Sequence, residues 1–411
     1  MTDHFVSSPL GVERWRDGPL TPHVDAFAKQ LQGLGYARAT RRVKLRLVRS
    51  FSCWLQRRDF LAAEVDEQKI VEFLGRHARL GQGDPTTLGD LLETLREDGV
   101  VSRPTPEVEE TQLQRLEREF GRYLSVERGL SQASLTNSLP FVRSFLTHRF
   151  GASPIVMDDV SARDVQRFLL RKLQTVGASR AQLMVGALRS FFRFLRWRGD
   201  IAIDLASSVP RVADWRLSAL PKSLRSEEVE RLVNSCPRGT ITGQRDHTLL
   251  LLLARLGLRA GEVVALTLDD IDWDAGAVTV RGKGGREDRL PIPRDVGQAM
   301  ATYLRQGRPQ DCSTRRFFVR MRAPRRGFAS SVAVCTIVRR ALERAGIASP
   351  RKGAHLLRHS LATEMLRKGG SLAEIGEVLR HRSLDTTAIY AKVDLVALRA
   401  LAHPWPAGGK P

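Results

Sequence analysis

Residues 275–293 read AGAVTVRGKGGREDRLPIP, and this stretch decides the fold class. Two short runs flank Gly-Lys-Gly-Gly, the first rich in β-branched residues, and Pro291 and Pro293 close the second. Such a pattern predicts a hairpin. Most of the remaining chain places apolar residues at three- and four-residue spacing, as helices do. The chain therefore reads as mostly α with a small β-sheet.

Moving outward, SEEVERLVNSC predicts a helix capped by Ser226, and RDHTLLLLLARLG a buried helix ending at Gly257. TRRFFV (Thr314–Val319) suggests one more strand. Four helices should follow: SSVAVCTIVRRALERAG, AHLLRHSLATEMLRKGG, SLAEIGEVLRH and a last one from about Leu384. Upstream, VVSRPTPEVEE (Val100–Glu110) and SSVPRVADWRLSALPKS (Ser207–Ser223) read as linkers. They divide the chain into helical residues 1–105, helical residues 106–212 and a mixed part, 213–411. In the middle part SARD (Ser161–Asp164) has the form of a capping box.

The first part repeats the second. GLGYARAT (Gly33–Thr40) aligns with GLSQASLT (Gly129–Thr136), RSF at Arg49–Phe51 with RSF at Arg143–Phe145, and EVDEQKIVEFL (Glu64–Leu74) with DVSARDVQRFL (Asp159–Leu169). Offsets of about 94–96 residues suit one duplicated unit, although short amphipathic helices also resemble one another by chance.

The formal net charge is +21 and the pI about 10.9. A chain so basic calls for a polyanionic partner, and nucleic acid is the usual one. Fifty-six of the 66 basic residues are arginine, whose fork suits phosphate oxygens. Genome base composition can produce the same bias. The longest apolar run, Leu249–Arg255, is too short to span a bilayer, and the first residues lack a signal-peptide pattern. A cytoplasmic protein acting on nucleoid DNA in a bacterium is the expectation, with no membrane partner. The four cysteines are scattered, without a CxxC pair, so neither a zinc ribbon nor a disulfide framework is suggested.

Four places in the last part hold polar groups that packing alone does not demand. In ARLGLRAGEVVAL, Arg259 follows a glycine break, with Glu262 three residues on to pair with it or to aim it. In RGKGGRED, Lys283 is the only lysine between Lys222 and Lys352. It sits at a hairpin tip, and a lysine can give up a proton where an arginine cannot. In HLLRHSLAT, His355 and Arg358 share a helix face. His355 and His359 also have the spacing of a zinc-protease pair, but Leu356 stands where that motif needs Glu. In LRHRSLDTTAIY, His381 precedes Tyr390 by nine residues. Each of the four has an ordinary structural reading when taken alone. Together they supply two arginines for a charged phosphorus centre, histidine donors, an acid and a hydroxyl nucleophile. His355 or a water could take the tyrosine proton.

In order and spacing, GLRAGEVVAL, GKGGRE, HLLRHSLAT and LRHRSLDTTAIY resemble the motifs of the tyrosine recombinase (phage integrase) family over roughly residues 224–395. The resemblance implies helical SAM-like DNA-binding domains before a mixed α+β catalytic domain. It implies the catalytic set Arg259, Lys283, His355, Arg358, His381 and Tyr390, the last as nucleophile. It further implies a 3′-phosphotyrosine, strand exchange through a Holliday junction, and no metal, ATP or other cofactor. The partners it implies are double-stranded DNA and a homotetramer on two DNA sites, with related recombinases or accessory DNA-binding proteins beside it. The tail after Tyr390 would dock on a neighbouring protomer, or pack on its own domain. About a hundred extra N-terminal residues favour an integrase or transposase of a mobile element. Two alternatives remain at this stage. One is DNA relaxation of the type IB topoisomerase kind, and the other a non-catalytic DNA-binding regulator.

Overall fold

The computed structural model describes residues 18–76, 81, 83–103, 110–212, 222–282, 285–310, 312, 314–381 and 383–393. Lys283 and the tail from residue 394 onward lie outside the described residues. The chain forms two compact units, Pro104–Ala219 and a second made of Met1–Arg103 together with Leu220–Pro411.

The described residues of Pro104–Ala219 form four α-helices. To keep chain order, the first four labels go to the N-terminal stretch of the other unit: α1 (Val24–Gly33), α2 (Arg38–Gln56), α3 (Glu67–Gly75) and α4 (Asp84–Glu97). The helices of Pro104–Ala219 are then α5 (Gln112–Arg122), α6 (Gln132–Phe150), α7 (Ala162–Leu173) and α8 (Ala178–Arg198). Thr111 caps α5 and Ser161 caps α7, each in a reciprocal box with the residue three further on, so SARD starts a helix as its sequence predicts. Gly199, at φ +88°, ends α8 in the left-handed region that glycine adopts without strain. The core of this unit is aromatic: Phe120, Phe145, Phe168, Phe191 and Phe192 are all fully buried.

Helices α1–α4 follow the same order as α5–α8. Both α2 and α6 have 19 residues. Val48 and Phe51 are buried on α2, as are Val142 and Phe145 on α6. Ile70, Phe73 and Leu74 are buried on α3, and Val165, Phe168 and Leu169 on α7. Even the ring pairs correspond, Phe51–Phe73 at 5.0 Å and Phe145–Phe168 at 5.4 Å. The last helices differ in charge. α8 carries Arg180, Arg189, Arg193, Arg196 and Arg198, whereas α4 carries Asp84, Asp90, Glu93 and Glu97, and Arg96 is bonded to Glu67 and Glu93.

Residues 222–393 continue with α9 (Ser226–Asn234), α10 (Ile241–Arg255), α11 (Ala260–Ala265), β1 (Ile271–Asp272), β2 (Ala277–Arg281), β3 (Glu287–Pro291), α12 (Arg294–Thr302), α13 (Ser331–Arg344), α14 (Ala354–Arg367), α15 (Leu372–Val378) and α16 (Leu384–Thr387). The hairpin forms: β1, β2 and β3 make one antiparallel sheet in that order, with Arg281 opposite Glu287 at the turn. Ser226 is not a cap. It is the first residue of α9, and the Glu228 carboxylate accepts from the Arg225 amide instead. Thr314–Val319 is not a strand either. It makes two isolated bridges, Thr267–Arg316 and Val319–Gly327, because adjacent Phe317 and Phe318 both enter the core rather than alternating across a pleat. α10 runs through the centre, with Leu249 to Leu253 all buried, so its five leucines fix where α11, α12 and α14 pack.

Candidate active site

The site is assembled where α10, α11, α14 and α15 end or begin. Gly257 follows α10 at φ +59°, and a Cβ there would stand 2.8 Å from the Leu379 side chain and 3.0 Å from Leu361. A side chain at 257 would thus be strained and crowded at once. The turn it permits places Arg259 at the start of α11, where Glu262 accepts from the Arg259 amide at 2.8 Å and from its guanidinium at 2.6 Å. The Arg259 side chain is 36% exposed and so remains open to a ligand.

Glu262 also binds Arg380, at 2.9 Å, so one buried carboxylate holds two guanidiniums. Burial alone would raise its pKa. The Arg259 amide and the charges of Arg380 and Arg259 outweigh this and keep it below the ordinary glutamate value. The spacing of Arg259 and Glu262 shows in the sequence; Arg380, 118 residues away, does not.

Arg358, on α14, is only 3% exposed, and donates to the carbonyls of Gly257 and Leu379. Burial, with Arg259 and Arg380 close by, works against its charge. His355, one turn earlier, has its pKa lowered first by burial and then by Arg358 and Arg259. The same causes pull His381 down to about 4. Its Nδ1 lies 2.7 Å from the Thr387 hydroxyl, and its ring is parallel to that of Tyr390 at 6.5 Å. Arg286, from the hairpin that carries Lys283, lines one cleft with Arg380, His381 and Thr387.

Tyr390 is 1% exposed and packs on Ala362, Ile375 and Leu379. Burial pushes its pKa up to about 12, against the pull of Arg358. Its hydroxyl stands 2.8 Å from Nδ1 of His359. The site thus gathers Arg259, His355, Arg358, His381 and Tyr390, while Lys283 is not among the described residues. Two members went unseen in the sequence: Arg380, and His359 as the partner of Tyr390. Among the described residues there, Arg259, Arg286, Arg358 and Arg380 outnumber the carboxylates Glu262 and Glu377, which is the electrostatic form of an anion site. Among the described residues no three His, Cys, Asp or Glu side chains converge as a metal would require. No helix there is long and apolar enough to cross a membrane.

Comparison with known proteins identifies the family. The model of the phage integrase family matches residues 222–395, and that of the phage integrase N-terminal SAM-like domain matches 118–199. "Putative integrase/recombinase y4rA" of Sinorhizobium fredii is 44% identical over 98% of both chains. Tyrosine recombinase XerA of Pyrococcus furiosus is 36% identical over 67% of this chain and 88% of its own. Among solved structures, the XerH site-specific recombinase bound to palindromic difH substrate, in its post-cleavage complex, shares the fold at TM-score 0.56 and 18% identity, covering 73% of this chain and 98% of that one. The chain belongs to the phage integrase family of tyrosine recombinases.

Proposed function

We propose that this recombinase cuts and rejoins double-stranded DNA at Tyr390, through a 3′-phosphotyrosine. The observation that carries the reading is the cationic pocket around Arg259 and Arg358, which holds one carboxylate, Glu262, beside a buried tyrosine hydroxyl. Arg259 and Arg358 neutralise the charge that grows on the nonbridging oxygens, and His355 and His381 donate to them. Tyr390 attacks phosphorus, and Lys283 protonates the departing 5′ oxygen. The phosphotyrosine keeps the bond energy, so rejoining needs no ATP.

The similarity over 98% of the chain to a protein named integrase/recombinase supports recombination rather than simple relaxation of DNA. Strand exchange then calls for a homotetramer on two DNA sites. The matched helix order, buried positions and ring pairs of α1–α4 and α5–α8 support reading the N-terminal part as a second, diverged copy of the core-binding unit. That extra unit supports a mobile-element integrase or transposase.

A duplex nicked next to the scissile phosphate tests the chemistry, because the short cleaved strand diffuses away and traps the enzyme. Wild-type protein should become covalently attached to DNA, and Tyr390→Phe should not. An adduct that survives Tyr390→Phe would remove Tyr390 as nucleophile.

A further inference from the structure

We infer that His359 is the base that takes the Tyr390 hydroxyl proton during cleavage and returns it during rejoining. The inference rests on the reading of Tyr390 as nucleophile, and assigns the proton that this reading leaves without a fixed acceptor.

The geometry comes first. Among the described residues, the hydrogen-bond partner of the Tyr390 hydroxyl is Nδ1 of His359, at 2.8 Å. The rings meet edge to face at 5.6 Å. His355, the other histidine of HLLRHSLAT, has its ring 6.2 Å from that of His359 and makes no such bond to Tyr390. For the phenol to donate in this contact, Nδ1 is the acceptor and the ring hydrogen sits on Nε2, the tautomer that the inference requires. A proton in flight would then travel along a bond already formed.

The surroundings keep the ring ready. His355 and Arg358 face it from α14, Arg351 from just before that helix, and His381 and Tyr390 from the C-terminal segment. All are cationic or neutral. Burial, followed by His355, Arg351 and Arg358, pulls the His359 pKa to about 4, so the ring is neutral near pH 7 and its lone pair is available. A DNA phosphate entering between Arg259 and Arg358 would cancel much of that positive field. The same event that supplies the substrate thereby makes imidazolium affordable.

The step balances. The Tyr390 oxygen forms its bond to phosphorus as its proton moves to Nδ1, leaving an imidazolium. The bond from phosphorus to the 5′ oxygen breaks, and that oxygen receives a proton from the leaving-group acid. In rejoining, the 5′ hydroxyl attacks phosphorus, and the departing tyrosine oxygen recovers the proton from His359.

His359→Asn tests this with the nicked duplex, because asparagine can accept near the Nδ1 position but cannot carry a proton. Relative to wild type, cleavage at pH 7 should fall about 10²–10⁴-fold. The deficit should shrink with rising pH, as hydroxide replaces the missing base, while DNA affinity stays unchanged. A wild-type rate, or a deficit of equal size at every pH, would overturn the assignment. Nitrogen-15 NMR of histidine-labelled wild-type protein provides a check that does not depend on the variant folding. His359 should be neutral at pH 7 with its hydrogen on Nε2; a hydrogen on Nδ1 would overturn the inference. The nucleophile reading fails separately, when wild type forms no adduct or Tyr390→Phe still forms one.

Discussion

Among the described residues, Tyr303 and Tyr390 are the two largest fully buried side chains, at 0% and 1% exposure, and both have hydroxyl pKa values pushed to about 12 by burial. Burial and titration therefore do not tell them apart. Their partners do. Tyr303 stacks on Phe318 at 5.6 Å and meets Phe317 at a tilt, at 5.8 Å, and its oxygen accepts from the Val319 amide at 3.4 Å. The arginines near it, Arg245 and Arg308, are bonded to Asp246 and to the carbonyls of Thr314 and Arg316. Tyr390 instead has an imidazole at its oxygen and a second imidazole parallel to its ring, and lies beside cations that share one carboxylate. A backbone amide cannot take a proton from a phenol, whereas an imidazole can. In the proposed mechanism, reactivity is set by what faces the oxygen, not by how deeply it lies.

This difference between the two tyrosines makes testable demands. Its largest consequence is that Tyr390→Phe should abolish the DNA adduct while Tyr303→Phe leaves it in place; loss in both variants would mean that the tyrosines are not functionally distinct. Glu262→Gln comes next, since it leaves buried Arg380 without its counter-charge. Urea unfolding should show a loss of about 3–5 kcal/mol, and an unchanged midpoint would remove Glu262 as the anchor of the site. Arg358→Lys keeps the charge but loses the fork to Gly257 and Leu379, and should slow cleavage about 10²–10³-fold. Single-turnover rates at saturating DNA would measure that loss.

The pH dependence is smaller. His359 and His381 are both held at about 4, below the ordinary histidine value of about 6.5. Between these values the unfolded chain binds protons that the folded chain refuses. Stability is thus complete above about pH 6.5 and declines as the pH falls towards 4. Melting temperatures across this range should fall, and inorganic phosphate should reduce the fall by occupying the cationic pocket. A melting temperature that is flat with pH would contradict the site's electrostatics. The smallest effect belongs to Tyr303→Phe, which removes one long hydrogen bond and should cost about 1 kcal/mol or less on thermal unfolding.

Much of this was legible in sequence because it is local. The hairpin followed from its glycine turn, the helices from their period, and the Arg259–Glu262 pair from three-residue spacing. What escaped detection is set by contacts across the chain. Arg380 reaches Glu262 over 118 residues, and His359 reaches Tyr390 over 31. His359 was visible as half of a failed zinc pair, since spacing on one helix says nothing about what a later segment brings to it. The strand expected at Thr314–Val319 had suitable propensity, but its two phenylalanines were claimed by the core. Likewise the Ser226 cap gave way to Glu228, which satisfies the Arg225 amide from inside the helix.

The most direct test of the difference between the two tyrosines is to identify the residue that becomes linked to DNA. Wild-type protein trapped on the nicked duplex would be digested with protease and nuclease, and the nucleotide-bearing peptide sequenced by mass spectrometry. The added mass should lie on Tyr390, within LRHRSLDTTAIY. Its appearance on Tyr303, on Tyr36 or Tyr123, or on a serine would contradict the account.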